Sequence, residues 1–155
     1  MANNKIYSDK QEKLVAKHTN GRQISGSGAR PFAPGDVESD EWLFECKTHT
    51  TPGHKISFKE DVWKKIQEEA MMRHKYPAYV VDDGSQLASN QKVLFSNCPE
   101  DLLPFPKQDI QKFVKAAITF RLEDTPSSSV IYRADWCGKE VYIVSLKYFE
   151  EIFTK

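Results

Sequence analysis

The chain has 155 residues, 39% of them hydrophobic and 28% charged, with 22 Lys and Arg against 22 Asp and Glu. These values exclude a disordered polyelectrolyte and leave room for one domain, residues 1–155, with a sizeable core. No apolar run approaches the roughly 20 residues of a membrane span, and the start MANNKIYSDKQEK has no signal-peptide core, so a cytoplasmic protein without a membrane partner is expected.

Three cysteines, Cys46, Cys98 and Cys137, form no CxxC pair, which leaves free thiols as the default. Residues 1–75 carry 13 Lys and Arg against 11 Asp and Glu, and five of those acids crowd between Asp36 and Glu45. An acidic spot in a basic surround suits a divalent cation beside a phosphate backbone. It also suits a solvated charge run.

In chain order, a helix is expected over Ser8–Lys17, capped by Ser8 and stopped at Asn20-Gly21. RQISGSGAR, Arg22 to Arg30, reads as a flexible strand end or loop able to approach a ligand. A strand around Asp36 and Val37, a polar turn at Glu38–Asp40 and a strand from Glu41 to about Thr48 make a short antiparallel hairpin. Ser57-Phe58-Lys59-Glu60 matches a capping box, opening a helix to about His74 whose Phe58, Val62, Ile66 and Ala70 face the core. Pro77–Val81 is a short apolar strand ended by Asp82-Asp83-Gly84. Pro106 opens a helix with a stripe of Ile110, Phe113, Val114, Ala117 and Ile118. Val130–Ala134 and Val141–Leu146 are strands about a turn at Gly138, followed by a short helix near Tyr148–Phe153. The fold class is α/β, a mixed sheet flanked by helices.

Residues two apart on a strand share a face, so Glu45 and Lys47 project together while Trp42, Phe44 and Cys46 turn to the core. Asp36, one strand away, reaches the same side. Two carboxylates close together repel unless a cation compensates, and Lys47 compensates only part. A divalent metal completes the balance, and with a lysine beside it the chemistry is phosphodiester hydrolysis.

Gly35-Asp36-Val37 followed by Glu45-Cys46-Lys47 resembles the D…ExK signature of the PD-(D/E)xK nuclease superfamily. With Gly26-Ser27-Gly28 and an upstream helix, the set is similar, more narrowly, to the archaeal-type and phage Holliday junction resolvases. The resemblance covers residues of about 8 to 84 and implies a restriction-endonuclease-like core, with residues 85–155 as a C-terminal elaboration of strands and helices. It implies Mg²⁺ or Mn²⁺ held by Asp36, Glu45, the backbone carbonyl of Cys46 and Glu12. Catalysis would rest on Asp36, Glu45, Lys47, Glu12 and Ser27, with Ser25, Ser27 and Arg30 touching substrate. The implied partner is branched or duplex DNA, met by a homodimer whose two sites match the two scissile strands of a junction. A restriction-like or repair nuclease, a non-catalytic DNA-binding module, and a glycosidase using Asp36 and Glu45 as acid and base are the competing functions.

Other positions have plainer readings beside functional ones. Gln67 faces the active site or solvent. Cys46-x-x-His49 with His54 imitates a zinc set, although Cys46 should be buried. Lys55, Lys59, Lys64 and Lys65 contact phosphates or solubilise a helix. Arg133 and Trp136 touch DNA or anchor a surface hairpin.

Overall fold

The computed structural model describes residues 3–24, 35–48, 55–96, 107–109, 117–121 and 131–153. The chain begins with helix α1 (Asn3–Thr19), strand β1 (Arg22–Gln23), strand β2 (Val37–Glu38) and strand β3 (Trp42–Thr48). Strand β4 (Lys55–Lys59), helix α2 (Glu60–Met72), strand β5 (Tyr76–Asp82) and strand β6 (Lys92–Phe95) follow. The rest comprises β7 (Lys107–Asp109), β8 (Ala117–Arg121), β9 (Ile131–Trp136), β10 (Lys139–Ser145) and helix α3 (Leu146–Phe153).

Eight strands form one mixed sheet in the order β1-β2-β3-β5-β6-β10-β9-β7, and β4 pairs with β8 in a separate ribbon. Strands β3 and β5 run parallel, as do β7 and β9, while the other pairs are antiparallel. The fold is thus α/β with a mostly antiparallel mixed sheet. Of the strands after residue 84, β6, β10, β9 and β7 extend the same sheet, while β8 joins the ribbon.

Two cores cover the two faces. On one, Val15 of α1 and Phe149 of α3 pack with Trp42, Phe44, Val80 and Phe95. On the other, Trp63, Ile66 and Ala70 of α2 join Phe58 and Ile118 of the ribbon on Leu43, Tyr79 and Leu94. Strand alternation sorts them, since odd residues of β3 and β5 face α2 and even ones face α1. Among the described residues, no helix is long and apolar enough to cross a membrane.

Several local expectations give way to tertiary context. Helix α1 starts at Asn3, so Ser8 lies inside it rather than capping it. Its stop holds: Asn20 takes the left-handed φ of 55°, and the Gly21 N–H bonds back to the Ala16 carbonyl at 2.9 Å. The Ser57–Glu60 capping box does not form. Ser57 and Phe58 are strand residues paired with Thr119 and Ile118, and α2 begins at Glu60 after Lys59 with no side-chain cap. Pairing and burial of Phe58 outweigh one capping hydrogen bond, worth only about 1 kcal/mol. The helical stripe proposed after Pro106 fails at both ends, because Lys107–Asp109 and Ala117–Arg121 are strands; residues 110–116 lie outside the described residues. Alternating apolar residues within a short stretch satisfy either period, and the partner strand decides. The final hairpin turns through Cys137 (φ 54°) and Gly138 (φ 76°), the paired positive values of a tight hairpin turn. Trp136 is buried in the α2-side core, so it is an anchor and does not face DNA, and Arg133 pairs with Glu140 at 3.5 Å.

Candidate active site

The ladder between β2 and β3 pairs Val37 with Phe44 and Glu38 with Leu43. Asp36, the next residue outward, lies near enough to act on the Glu45 carboxyl. The Asp36 N–H donates to the Phe44 carbonyl at 2.8 Å, and Asp36 Oδ2 accepts the Cys46 N–H at 2.8 Å. A strand residue sends its N–H and C=O to one edge, so the Cys46 carbonyl faces Asp36 as well. Strand pairing ends here, and the aspartate side chain takes the place of the missing strand partner.

Gly35 makes this approach possible. Its φ is 63°, and a Cβ there would stand 3.0 Å from the Leu43 side chain and 3.1 Å from the Phe44 carbonyl. Both the backbone turn and the close approach demand glycine. The Gly35 N–H donates to Glu69 Oε1 of α2 at 3.3 Å.

Glu45 is buried, with Lys47 Nζ 3.6 Å from its Oε2, while Lys47 itself is 54% exposed. Burial pushes the Glu45 carboxyl up to about 7, and Asp36 and Glu69 push in the same direction while Lys47 and Lys65 oppose them. Glu12 approaches from α1. Burial likewise pushes it up to about 7, against the Gln23 hydrogen bond and with help from Asp36 and Asp9. Gln23 Nε2 donates to Glu12 Oε1 at 3.2 Å and to Asp9 Oδ1 at 3.0 Å, fixing the glutamate beside β1. The structure thus brings Glu12, Asp36, Glu45 and Lys47 to one edge of β3.

Cys46 points the other way, into the α1-side core, where burial raises its thiol well above its ordinary value and the carboxylates of Asp36, Glu12 and Glu45 add to that. A buried, protonated thiol is a poor zinc ligand. His49 and His54 lie outside the described residues, as do Ser25, Ser27 and Arg30. Gln67 does not join the carboxylates. It is half-buried and lines a surface pocket with Asp40, Glu41, Met71, His74 and Tyr76.

Three features escape a reading of the strand motif alone. Lys65 and Glu69 sit one turn apart on α2, and both act on Glu45, a pairing that their i, i+4 spacing signals once α2 is placed over the hairpin. Lys64, by contrast, pairs with Glu60 at 2.6 Å. Glu38, expected in a turn, is a buried strand residue on the face of Asp36. It meets Arg22 Nη2 at 2.8 Å, Arg73 Nη2 at 2.9 Å and Lys75 Nζ at 3.5 Å. These bonds tie β1, the hairpin and the end of α2 together below the site.

Among the described residues, no three His, Cys, Asp or Glu side chains are gathered tightly enough to chelate a metal as they stand. Protein donors hold two of the carboxylates apart: Cys46 N–H takes Asp36, and Gln23 takes Glu12. The donor chemistry does fit a hard cation. Three carboxylates and a backbone carbonyl are all-oxygen ligands, the kind Mg²⁺ and Mn²⁺ prefer. Burial, helped by neighbouring carboxylates, raises the proton affinity of two of the carboxyls, and the charge of a divalent ion would oppose both effects.

Comparison of the chain with protein-family models, with curated proteins and with solved structures finds no match.

Proposed function

We propose that the protein is a Mg²⁺- or Mn²⁺-dependent, structure-selective DNA endonuclease, similar to Holliday junction resolvases and acting as a homodimer. The observation that carries this reading is Asp36 bonded to the Cys46 N–H of the motif strand and close enough to act on Glu45, with Lys47 Nζ 3.6 Å from the Glu45 carboxylate. Supporting it, a mixed sheet is flanked by helices, the coarse architecture that the resemblance implies. An α-helix bearing Glu12 precedes the hairpin, and a helix then leads to β5, parallel to the motif strand.

In this reading Asp36, Glu45, Glu12 and the Cys46 carbonyl hold the cation. When bound, it would polarise a phosphoryl oxygen and acidify a coordinated water. The exposed Lys47 ammonium reaches outward from the carboxylates to orient that water and to meet negative charge building on the phosphate. Glu45 and Glu12 must be ionised to bind the cation, so their proton affinities near 7 set the acid limit of activity.

The test is cleavage of a labelled four-way junction beside its linear duplex and a flap, with Mg²⁺ and with EDTA, for wild type and Lys47→Ala. Symmetric, metal-dependent cuts in the junction, reduced about 10²–10³-fold in the variant, are expected. Cutting of the duplex alone would narrow the reading to a restriction-like or repair nuclease. Tight junction binding without cutting would make the chain a recognition module, and turnover unaffected by EDTA would remove the metal.

A further inference from the structure

Gln11 is 0% exposed and reaches from α1 down onto the sheet. Its Nε2 donates to the Lys47 carbonyl at 2.8 Å and to the Val80 carbonyl at 3.4 Å, residues 36 and 69 positions away. One side-chain amide thereby spans the parallel β3–β5 pair at the level of the candidate site. Its Oε1 is buried without a hydrogen-bond partner among the described residues. The amide gives the Lys47 and Val80 carbonyls a donor at the cost of burying an unpaired Oε1, so its contribution to stability is offset in part.

Its place in the helix bears on the site. The next residue, Glu12, carries a carboxylate on which Asp36 acts, and the pin from Gln11 to Lys47 ties α1 to the strand that bears Glu45, Cys46 and Lys47. Rigid-body sliding of α1 by one ångström would move Glu12 relative to Asp36 and Glu45 by the same amount, enough to cost roughly 10²-fold in a positioned site. We infer that Gln11 is a positioning residue, holding Glu12 of α1 in register with the Glu45-Cys46-Lys47 strand. The inference deepens the nuclease reading and rests on it for its catalytic consequence, though not for the pin itself.

The decisive variant is Gln11→Met, which keeps side-chain length and volume and deletes the donor; Gln11→Glu, placing a protonatable group of the same shape there, is its companion. Cleavage kinetics, thermal unfolding and amide hydrogen exchange would be measured on the full chain. For Gln11→Met we expect kcat lowered at least tenfold with KM for DNA unchanged, and a Tm within about 4 °C of wild type. The amides of α1 around Glu12 should exchange at least tenfold faster while those of β5 and β6 keep their protection. Gln11→Glu should recover part of the kcat at the acid end of the activity range, where its carboxyl is protonated and donates to the Lys47 carbonyl. Wild-type kcat in Gln11→Met, or a loss that follows a general drop in Tm with uniformly faster exchange, would overturn the inference. If wild type itself cuts no DNA, the nuclease reading falls, and the exchange of α1 still decides whether Gln11 pins the helix.

Discussion

Asp36 Oδ2 accepts the backbone N–H of Cys46 at 2.8 Å, so the carboxylate of one strand finishes the hydrogen-bonding edge of the next. The Cys46 carbonyl leaves the same edge of the strand. With one oxygen on the backbone, Asp36 also acts on the carboxyls of both Glu12 and Glu45.

This geometry depends on Gly35. Gly35→Ala forces a Cβ to within 3.0 Å of Leu43 in a backbone with φ of 63°. A cost of about 1–2 kcal/mol in urea unfolding is expected. Displacement of Asp36 should also lower kcat at least tenfold. A variant with lowered Tm and wild-type kcat would show that the turn is structural alone.

Stability of the metal-free protein and cleavage by the cation-loaded protein should move oppositely with pH. The Glu12 and Glu45 carboxyls are raised from 4.5 to about 7 in the folded chain. Between those values the native state holds protons that the unfolded state has lost, so stability falls as pH rises from 4.5 through 7 and then levels. Cation binding needs the ionised forms, so cleavage should rise over that interval with a log-rate slope between one and two. Added Mg²⁺ should flatten the decline in stability. Thermal melts across pH, with and without Mg²⁺, check both signs.

The buried Glu38 titrates the other way. Burial alone would raise its carboxyl, but Lys75, Arg73 and Arg22 outweigh it and hold it below 4.5. A depressed carboxylate contributes stability above its unfolded value, and that contribution disappears as pH falls through the folded value. Glu38→Gln leaves Arg22, Arg73 and Lys75 without their shared anion and should cost about 1–3 kcal/mol at neutral pH. The difference from wild type should shrink in acid, which denaturant melts at pH 7 and pH 3 would show.

Helix α3 supports the motif strand from the far face. Trp42, three residues before Glu45, packs against Phe149 and Phe153 with ring centroids 5.0 and 5.2 Å away, and against Phe95 at 5.8 Å. Trp42→Ala should cost about 3–5 kcal/mol. A chain ending at Ser145 should lose cooperative unfolding, although every candidate site residue precedes it. A truncated chain with a sharp wild-type-like melt would contradict this role.

The sequence by itself determined the local pieces whose signal lies within a few residues. The alternation of Trp42, Phe44 and Cys46 against Glu45 and Lys47 set the faces of β3, and Asn20-Gly21 ended α1 where its backbone turns left-handed. Gly138 marked the final hairpin for the same conformational reason. Tertiary structure alone decided the rest, because the deciding energy comes from partners distant in sequence. Ser57 and Phe58 became strand and not helix start through pairing with β8, and Ile118 left its helical stripe for the same ribbon. Glu38 left the turn because three cations from two other elements make its burial favourable. Gln11 and Glu12, adjacent and alike in one exposed-looking stretch of α1, were separated by what lies beneath each: backbone carbonyls under the first, Gln23 beside the second with Asp36 close enough to act on it. Periodicity assigns a residue to a face; only the packed fold says which groups wait on the other side of it.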